Sequence, residues 1–119
     1  MAGQLTIDTL KASSGVLATQ NGMTGIVKAW AYFNGSTLAV ANSFNVSSIT
    51  RIGTGQFYVN FTTAMPNANY CLAGSTNDNA GIVVNDWVGT TTTSSAAMST
   101  YAAGTAYNFS HTQVIIIGS

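Results

Sequence analysis

The sequence predicts an all-β protein, an antiparallel, jelly-roll-like β-sandwich, on three observations. Gln56-Phe57-Tyr58-Val59-Asn60-Phe61-Thr62 alternates apolar and polar side chains, the period-two pattern of a half-buried strand. Apolar residues do not recur at helical spacing over any long window, while Thr, Val, Ile, Tyr and Phe are abundant. Short β-type runs also recur about every 8–12 residues with turn residues between them, the rhythm of a sandwich or barrel.

Residues 1–26 differ from the rest. Thr6-Ile7-Asp8-Thr9-Leu10 has the makings of a short strand, and Lys11 to Gly25 is rich in Ser, Gly, Asn and Thr. Such a stretch buries little by itself. It is expected to be an extended arm that docks the protein or joins three copies, with a frayed terminus bearing one edge strand as the alternative. Residues 27–119 are expected to form the sandwich.

Its first strand is expected at Lys28 to Phe33, stopped by the turn pair Asn34-Gly35. Trp30 and Tyr32 then share one face and Ala29, Ala31 and Phe33 the other; either face can be core, or one can meet a neighbouring subunit. Ser43 to Thr50 and Gln56 to Thr62 are expected to pair as a hairpin around Arg51-Ile52-Gly53-Thr54-Gly55, with both glycines supplying positive φ. Phe57, Val59 and Phe61 should face the core. Met65-Pro66-Asn67-Ala68 suits a connection, because proline cannot donate to a ladder. Further strands are expected at Tyr70 to Gly74, Gly81 to Val88, Ser95 to Tyr101 and Tyr107 to Ile117, with a loop at Ser75 to Asn79.

Composition narrows the function. The chain has 119 residues, enough for one domain with a core of its own. Lys11, Lys28 and Arg51 are its cations and Asp8, Asp78 and Asp86 its acids, so charged residues are 5% of the chain, against about 25% in ordinary soluble domains. Three scattered cations cannot grip a nucleic-acid backbone or an anionic membrane, so neither partner is expected. Near-zero net charge favours association, which points to an assembly rather than a free monomer. The single cysteine, Cys71, lies in the apolar run Tyr70-Cys71-Leu72-Ala73 and is expected to be a buried small hydrophobe. Met1-Ala2-Gly3-Gln4 lacks the features of a secretory leader, and Val114-Ile115-Ile116-Ile117 is too short to span a bilayer, so synthesis in a cytosol is expected.

Constellations that carry chemistry are sparse, and no enzyme, cofactor or metal site is expected. Glycoside cleavage needs paired carboxylates, and only Asp78 and Asp86 could serve. His111 is expected to be a hydrogen-bonded strand residue sharing a face with Phe109 and Gln113; a metal would need more ligands than it offers. Gly53-Thr54-Gly55 lacks the following glycine and helix of a phosphate loop. Asn34-Gly35-Ser36, Asn45-Val46-Ser47, Asn60-Phe61-Thr62 and Asn108-Phe109-Ser110 fit the glycosylation pattern, as chance allows in so Asn- and Ser-rich a chain.

Three stretches carry a resemblance: Lys28-Ala29-Trp30-Ala31-Tyr32-Phe33-Asn34-Gly35, Ser43-Phe44-Asn45-Val46-Ser47-Ser48-Ile49-Thr50, and Tyr58-Val59-Asn60-Phe61-Thr62-Thr63-Ala64-Met65-Pro66-Asn67-Ala68-Asn69-Tyr70. With the lead-in Ser14 to Met23, they resemble a C-terminal β-sandwich module of bacteriophage tail-fibre proteins. The likeness covers about residues 14 to 70 and fades from about residue 75. It implies a homotrimeric sandwich on a virion, a tail-fibre-like protein contributing to host-surface recognition and attached to other virion proteins through the N-terminal arm. Such modules usually end a longer fibre, whereas here the module is nearly the whole sequence; a capsid head fibre or decoration protein is therefore the alternative. For a cell-surface glycan or protein, the expected contacts are Asn77, Asp78, Asn79, Asp86, Trp87 and Tyr101, since sugar faces stack on aromatic rings and Asn and Asp pair with hydroxyls. Core packing is the favoured role for Trp87.

Overall fold

A computed structural model of the chain describes Gly3 and residues 26–78, 81–85 and 89–118. Apart from Gly3 and Ile26, the arm expected at residues 1–26 lies outside the described residues, and Ile26 already belongs to the first strand. The described residues form nine strands: β1 (Ile26–Phe33), β2 (Val40–Phe44), β3 (Val46–Gly53), β4 (Gln56–Phe61), β5 (Cys71–Thr76), β6 (Gly81–Asn85), β7 (Ser95–Ala102), β8 (Thr105–Ala106) and β9 (Thr112–Gly118). They form two sheets, one ordered β2-β1-β9-β5 and the other β3-β4-β7-β6 with β8 on β7. Every pairing is antiparallel. The fold is all-β, with the two sheets packed face to face.

Alternation decides which side chains meet between the sheets. Phe57, Val59 and Phe61 are buried, as their pattern requires, while Tyr58 and Asn60 face outward half-buried. On β1 the Ala29, Ala31 and Phe33 face is the core face, and Trp30 and Tyr32 point outward. Ala96 and Met98 on β7 and Val114 and Ile116 on β9 complete the layer. Phe33 and Phe57 meet edge to face with centroids 5.5 Å apart across the sheets, and Phe61 and Tyr70 do the same at 5.7 Å. The Tyr70 hydroxyl, with one proton to give, lies between two acceptors, Thr92 O (2.7 Å) and Ser95 O (3.0 Å), so a phenol enters the core with its polar end satisfied.

Several expectations need correction. Ser43 to Thr50 is not one strand: Ser43 and Phe44 end β2 in one sheet, and Val46 starts β3 in the other. The corner is Asn45, held at φ 55° in the left-handed region that asparagine tolerates better than most residues. Its amide donates to Lys28 O (3.1 Å) and Thr63 O (3.0 Å) and accepts from Thr63 N (2.7 Å), tying the corner to β1 and to the segment just after β4. The Lys28 carbonyl is presented there by a bulge, where the β1–β9 register slips between Val27 and Ala29.

The β3–β4 hairpin exists, but its turn is Thr54-Gly55, and of the two glycines only Gly55 has positive φ (66°). Gly53 instead sits where the β3–β4 register slips. Tyr107 to His111 is not strand, because these residues cross from β8 in one sheet to β9 in the other. His111 therefore precedes β9 and stacks on Tyr32, with centroids 5.7 Å apart and planes 8° apart, rather than sharing a strand face with Phe109. Cys71 is exposed, not buried. It pairs with Ile117 on the outer side of its sheet, leaving its neighbours Tyr70 and Leu72 to turn toward the core.

Candidate functional site

Two surfaces stand out, and the first is the outer face of the β2-β1-β9-β5 sheet. Direct cross-strand partners align its side chains in rows. Phe44, Trp30, Ile115 and Ala73 form one row across all four strands, and Val27, Ile117 and Cys71 form the next. Asn42, Tyr32, Gln113 and Ser75 form a polar but uncharged third row. Phe44, Ile115 and Ile117 are 37%, 37% and 39% exposed, large values for side chains of this size and polarity. Between the rows lies a hollow of about 460 Å³ lined by Trp30, Tyr32, Ala73, Ser75, Gln113 and Ile115. None of these residues carries a charge.

The cause is visible in β9. Val114-Ile115-Ile116-Ile117 is apolar at every position, so one strand sends apolar groups to both of its faces. That is the pattern of a strand covered on both sides, whereas a sheet with one wet face alternates. In the other sheet the central strand β7 is likewise buried on both faces, with Ala97 and Ser99 covered as fully as Ala96 and Met98, but the outer side of β3 and β4 is polar. On its outer side the Asn60 amide donates to Ser48 Oγ (3.0 Å) and Thr50 Oγ1 (2.8 Å), making a polar ladder. Its exposed Ile52 and Ile82 lie on opposite edge strands, so these two side chains do not join into one patch.

The second surface is a cleft of about 200 Å³ at one end of the sandwich, lined among others by Ser36, Asn77, Asp78, Tyr107, Asn108 and Ser110. Loops distant in sequence are tied together beneath it. Gly35 N donates to Phe109 O (2.8 Å), and Gly55 N donates to Asn108 Oδ1 (2.7 Å). Thr100 Oγ1 donates to Tyr107 O (2.6 Å), and Tyr107 N donates back to Thr100 O (3.1 Å). Arg51 Nη2 donates to Gly35 O (2.8 Å) and to Ser36 O. The chain's one described guanidinium thus braces this loop. Asn77 Nδ2 donates to Ser110 Oγ (3.1 Å), linking the two walls. Tyr107 stands at the cleft 55% exposed, its ring centroid 5.0 Å from that of the buried Phe109.

Of the expected contact residues, Asn77 and Asp78 line this cleft. Tyr101 does not; it is half-buried on β7, paired with Ile82 and Ala106. Asn79, Asp86 and Trp87 lie outside the described residues. The sequence reading missed Tyr107, Ser36, Asn108 and Ser110. Three of them belong to the Asn34-Gly35-Ser36 and Asn108-Phe109-Ser110 triplets, whose asparagines act as braces: Asn34 Oδ1 accepts locally from Ser36 N (2.8 Å) and Thr37 N (3.1 Å), and Asn108 Oδ1 accepts from the distant Gly55 N. Among the described residues no group of three or more His, Cys, Asp or Glu side chains could hold a metal, and no helix is long and apolar enough to cross a membrane. No protein-family model, curated protein or solved structure matches the chain.

Proposed function

We propose that this protein is a non-enzymatic structural module of a bacteriophage particle, working as a self-assembled oligomer in a tail-fibre-like appendage that helps recognise the host surface. The uncharged apolar outer face of the β2-β1-β9-β5 sheet is the observation that carries the assembly part. Water is a poor partner for the Phe44-Trp30-Ile115-Ala73 row, and a second copy of the chain offers the matching neutral surface. A partner with a strongly charged face would leave its charges desolvated against hydrocarbon.

Size refines the contact. With strands about 4.8 Å apart and side-chain rows about 7 Å apart, four strands and three rows project roughly 400 Å². A standard interface takes about 800 Å² from each partner. The sheet face is thus small for a stable contact on its own, and the segment before β1, residues 1–25, is proposed to add to it. Three copies is the number implied by the resemblance of residues 14–70 to tail-fibre modules, which also supplies the virion setting.

Gold-labelled antibody on intact particles tests the setting. Label at the tail end supports host recognition. Label over the head instead makes the protein a capsid fibre or decoration protein, and label on neither removes the virion reading.

A further inference from the structure

We propose that His111 is an acid-sensitive switch for self-association: neutral, it lets the outer face of the β2-β1-β9-β5 sheet close on another copy of the chain, and protonated, it opens that contact. The inference rests on the assembly reading above and deepens it by naming what regulates the face.

Position comes first. Ile117, Ile115 and Gln113 of β9 line up on the outer side of the sheet, opposite Val27, Trp30 and Tyr32 of β1. His111 extends that series, one residue before the strand begins. Its ring lies flat on Tyr32, with planes 8° apart and centroids 5.7 Å apart. Tyr32 belongs to the third row of the face and lines both the hollow of about 460 Å³ between the rows and a second hollow of about 230 Å³ that His111 also lines. A surface that covers Tyr32 therefore covers the imidazole lying against it. One side of that ring rests on Tyr32 whether or not another copy is present. His111 is exposed in the single chain, so its other side meets water there, and a neighbour replaces that water.

Charge makes the position matter. Histidine is the side chain that ordinarily gains its charge between pH 8 and 5, and His111 is the chain's only one. Around it stand Tyr32 from β1, Asn34 and Ala39 from the connection to β2, Val40 and Ala41 from β2, and Ser110. The Tyr32 phenol is the only titratable group among these, and none is an acid or a cation. On the β5 side Asn77 N donates to His111 O (3.2 Å), whereas Asp78, next in sequence, lines the end cleft instead. Arg51 is held by Gly35 O and Ser36 O. Ser110 Oγ lies 3.5 Å from His111 Nδ1, at the outer limit of a hydrogen bond.

The direction of the effect follows. An imidazolium in the single chain keeps its water. Pressed against a second neutral, apolar face, it loses that water and gains no opposite charge. The assembled state therefore favours the neutral ring, and assembly weakens as pH falls. A symmetric oligomer repeats this cost in every copy.

Sedimentation equilibrium at pH 7.5 and pH 5.5, for the wild type, His111→Gln and His111→Arg, tests this. The wild type is expected to hold three chains at pH 7.5 and to associate at least about tenfold more weakly at pH 5.5. His111→Gln, never charged, is expected to stay assembled at both values, and His111→Arg, always charged, to be weak at both. Circular dichroism at each pH must show the β-sheet signal kept, which separates dissociation from acid unfolding. Equal assembly of the wild type at both values, loss of the β-sheet signal together with the mass, or the same pH dependence in His111→Gln overturns the proposal and leaves the assembly reading standing. A wild type of one chain at both values overturns the two together.

Discussion

Replacing Asn45 probes the corner on which the two-sheet arrangement turns. Asn45→Ala removes three side-chain hydrogen bonds, to Lys28 O, Thr63 O and Thr63 N. Each is worth about 0.5–1.5 kcal/mol net, and the half-buried setting argues for the lower half of that range, so the bonds together supply about 2 kcal/mol. Alanine must also hold φ near 55°, which costs about 1 kcal/mol more. The expected loss is about 3 kcal/mol, a large share of the roughly 5–15 kcal/mol of an ordinary domain. Asn45→Gly tolerates the backbone but makes no side-chain bonds, so its loss is expected to be about 2 kcal/mol. Asn45→Asp keeps an acceptor for Thr63 N but turns a carboxylate toward two carbonyl oxygens, and is expected to be no better than glycine. Urea unfolding followed by circular dichroism measures all three. A loss under about 0.5 kcal/mol for Asn45→Ala, within the range of neutral surface changes, would refute the reasoning.

Other substitutions test the packing. Gly55→Ala is expected to destabilise by more than the ~1–2 kcal/mol of its left-handed backbone, because a Cβ there would lie 2.5 Å from Thr100 O and 2.7 Å from Tyr107 N; thermal unfolding reads it. Phe57→Ala empties the centre of the core and is expected to cost about 3–5 kcal/mol by urea unfolding. Thr112 Oγ1 is buried with no hydrogen-bond partner among the described residues, so Thr112→Val is expected to hold or raise stability, by up to about 1 kcal/mol. A clear loss would show that the hydroxyl is satisfied. Cys71, on the apolar face beside Ile117, is expected to react slowly with N-ethylmaleimide in the assembled protein and faster in an Ile115→Asp variant.

What could be read in advance was local. Gln56 to Thr62 gives itself away because alternation depends only on neighbours in sequence, and a hairpin before it follows from the nearby glycines, although the shorter Thr54-Gly55 turn, with Gly53 still in β3, does not. The break at Asn45 is hidden inside an alternating run. Its evidence is three bonds to residues 17 and 18 positions away, which no window can display. Cys71 was misplaced because Tyr70-Cys71-Leu72-Ala73 does not alternate, so only its pairing with Ile117 shows which face it takes. His111 was misplaced for a related reason, since nothing local shows that Tyr107 to His111 spans the gap between sheets. Asn77 and Asp78 could be chosen as polar loop residues. Their meeting with Tyr107 and Ser36 could not, because the backbone bonds from Gly35 to Phe109 and from Asn77 to His111 make that end of the sandwich.

Solution mass by sedimentation equilibrium, for the wild type and an Ile115→Asp/Ile117→Asp variant, tests the self-association claim most directly. The account predicts a wild-type mass of three times the 12.3 kDa chain, falling to one chain in the variant while the β-sheet circular dichroism is kept. A wild type that sediments as a single chain, or a variant that stays assembled, would contradict it.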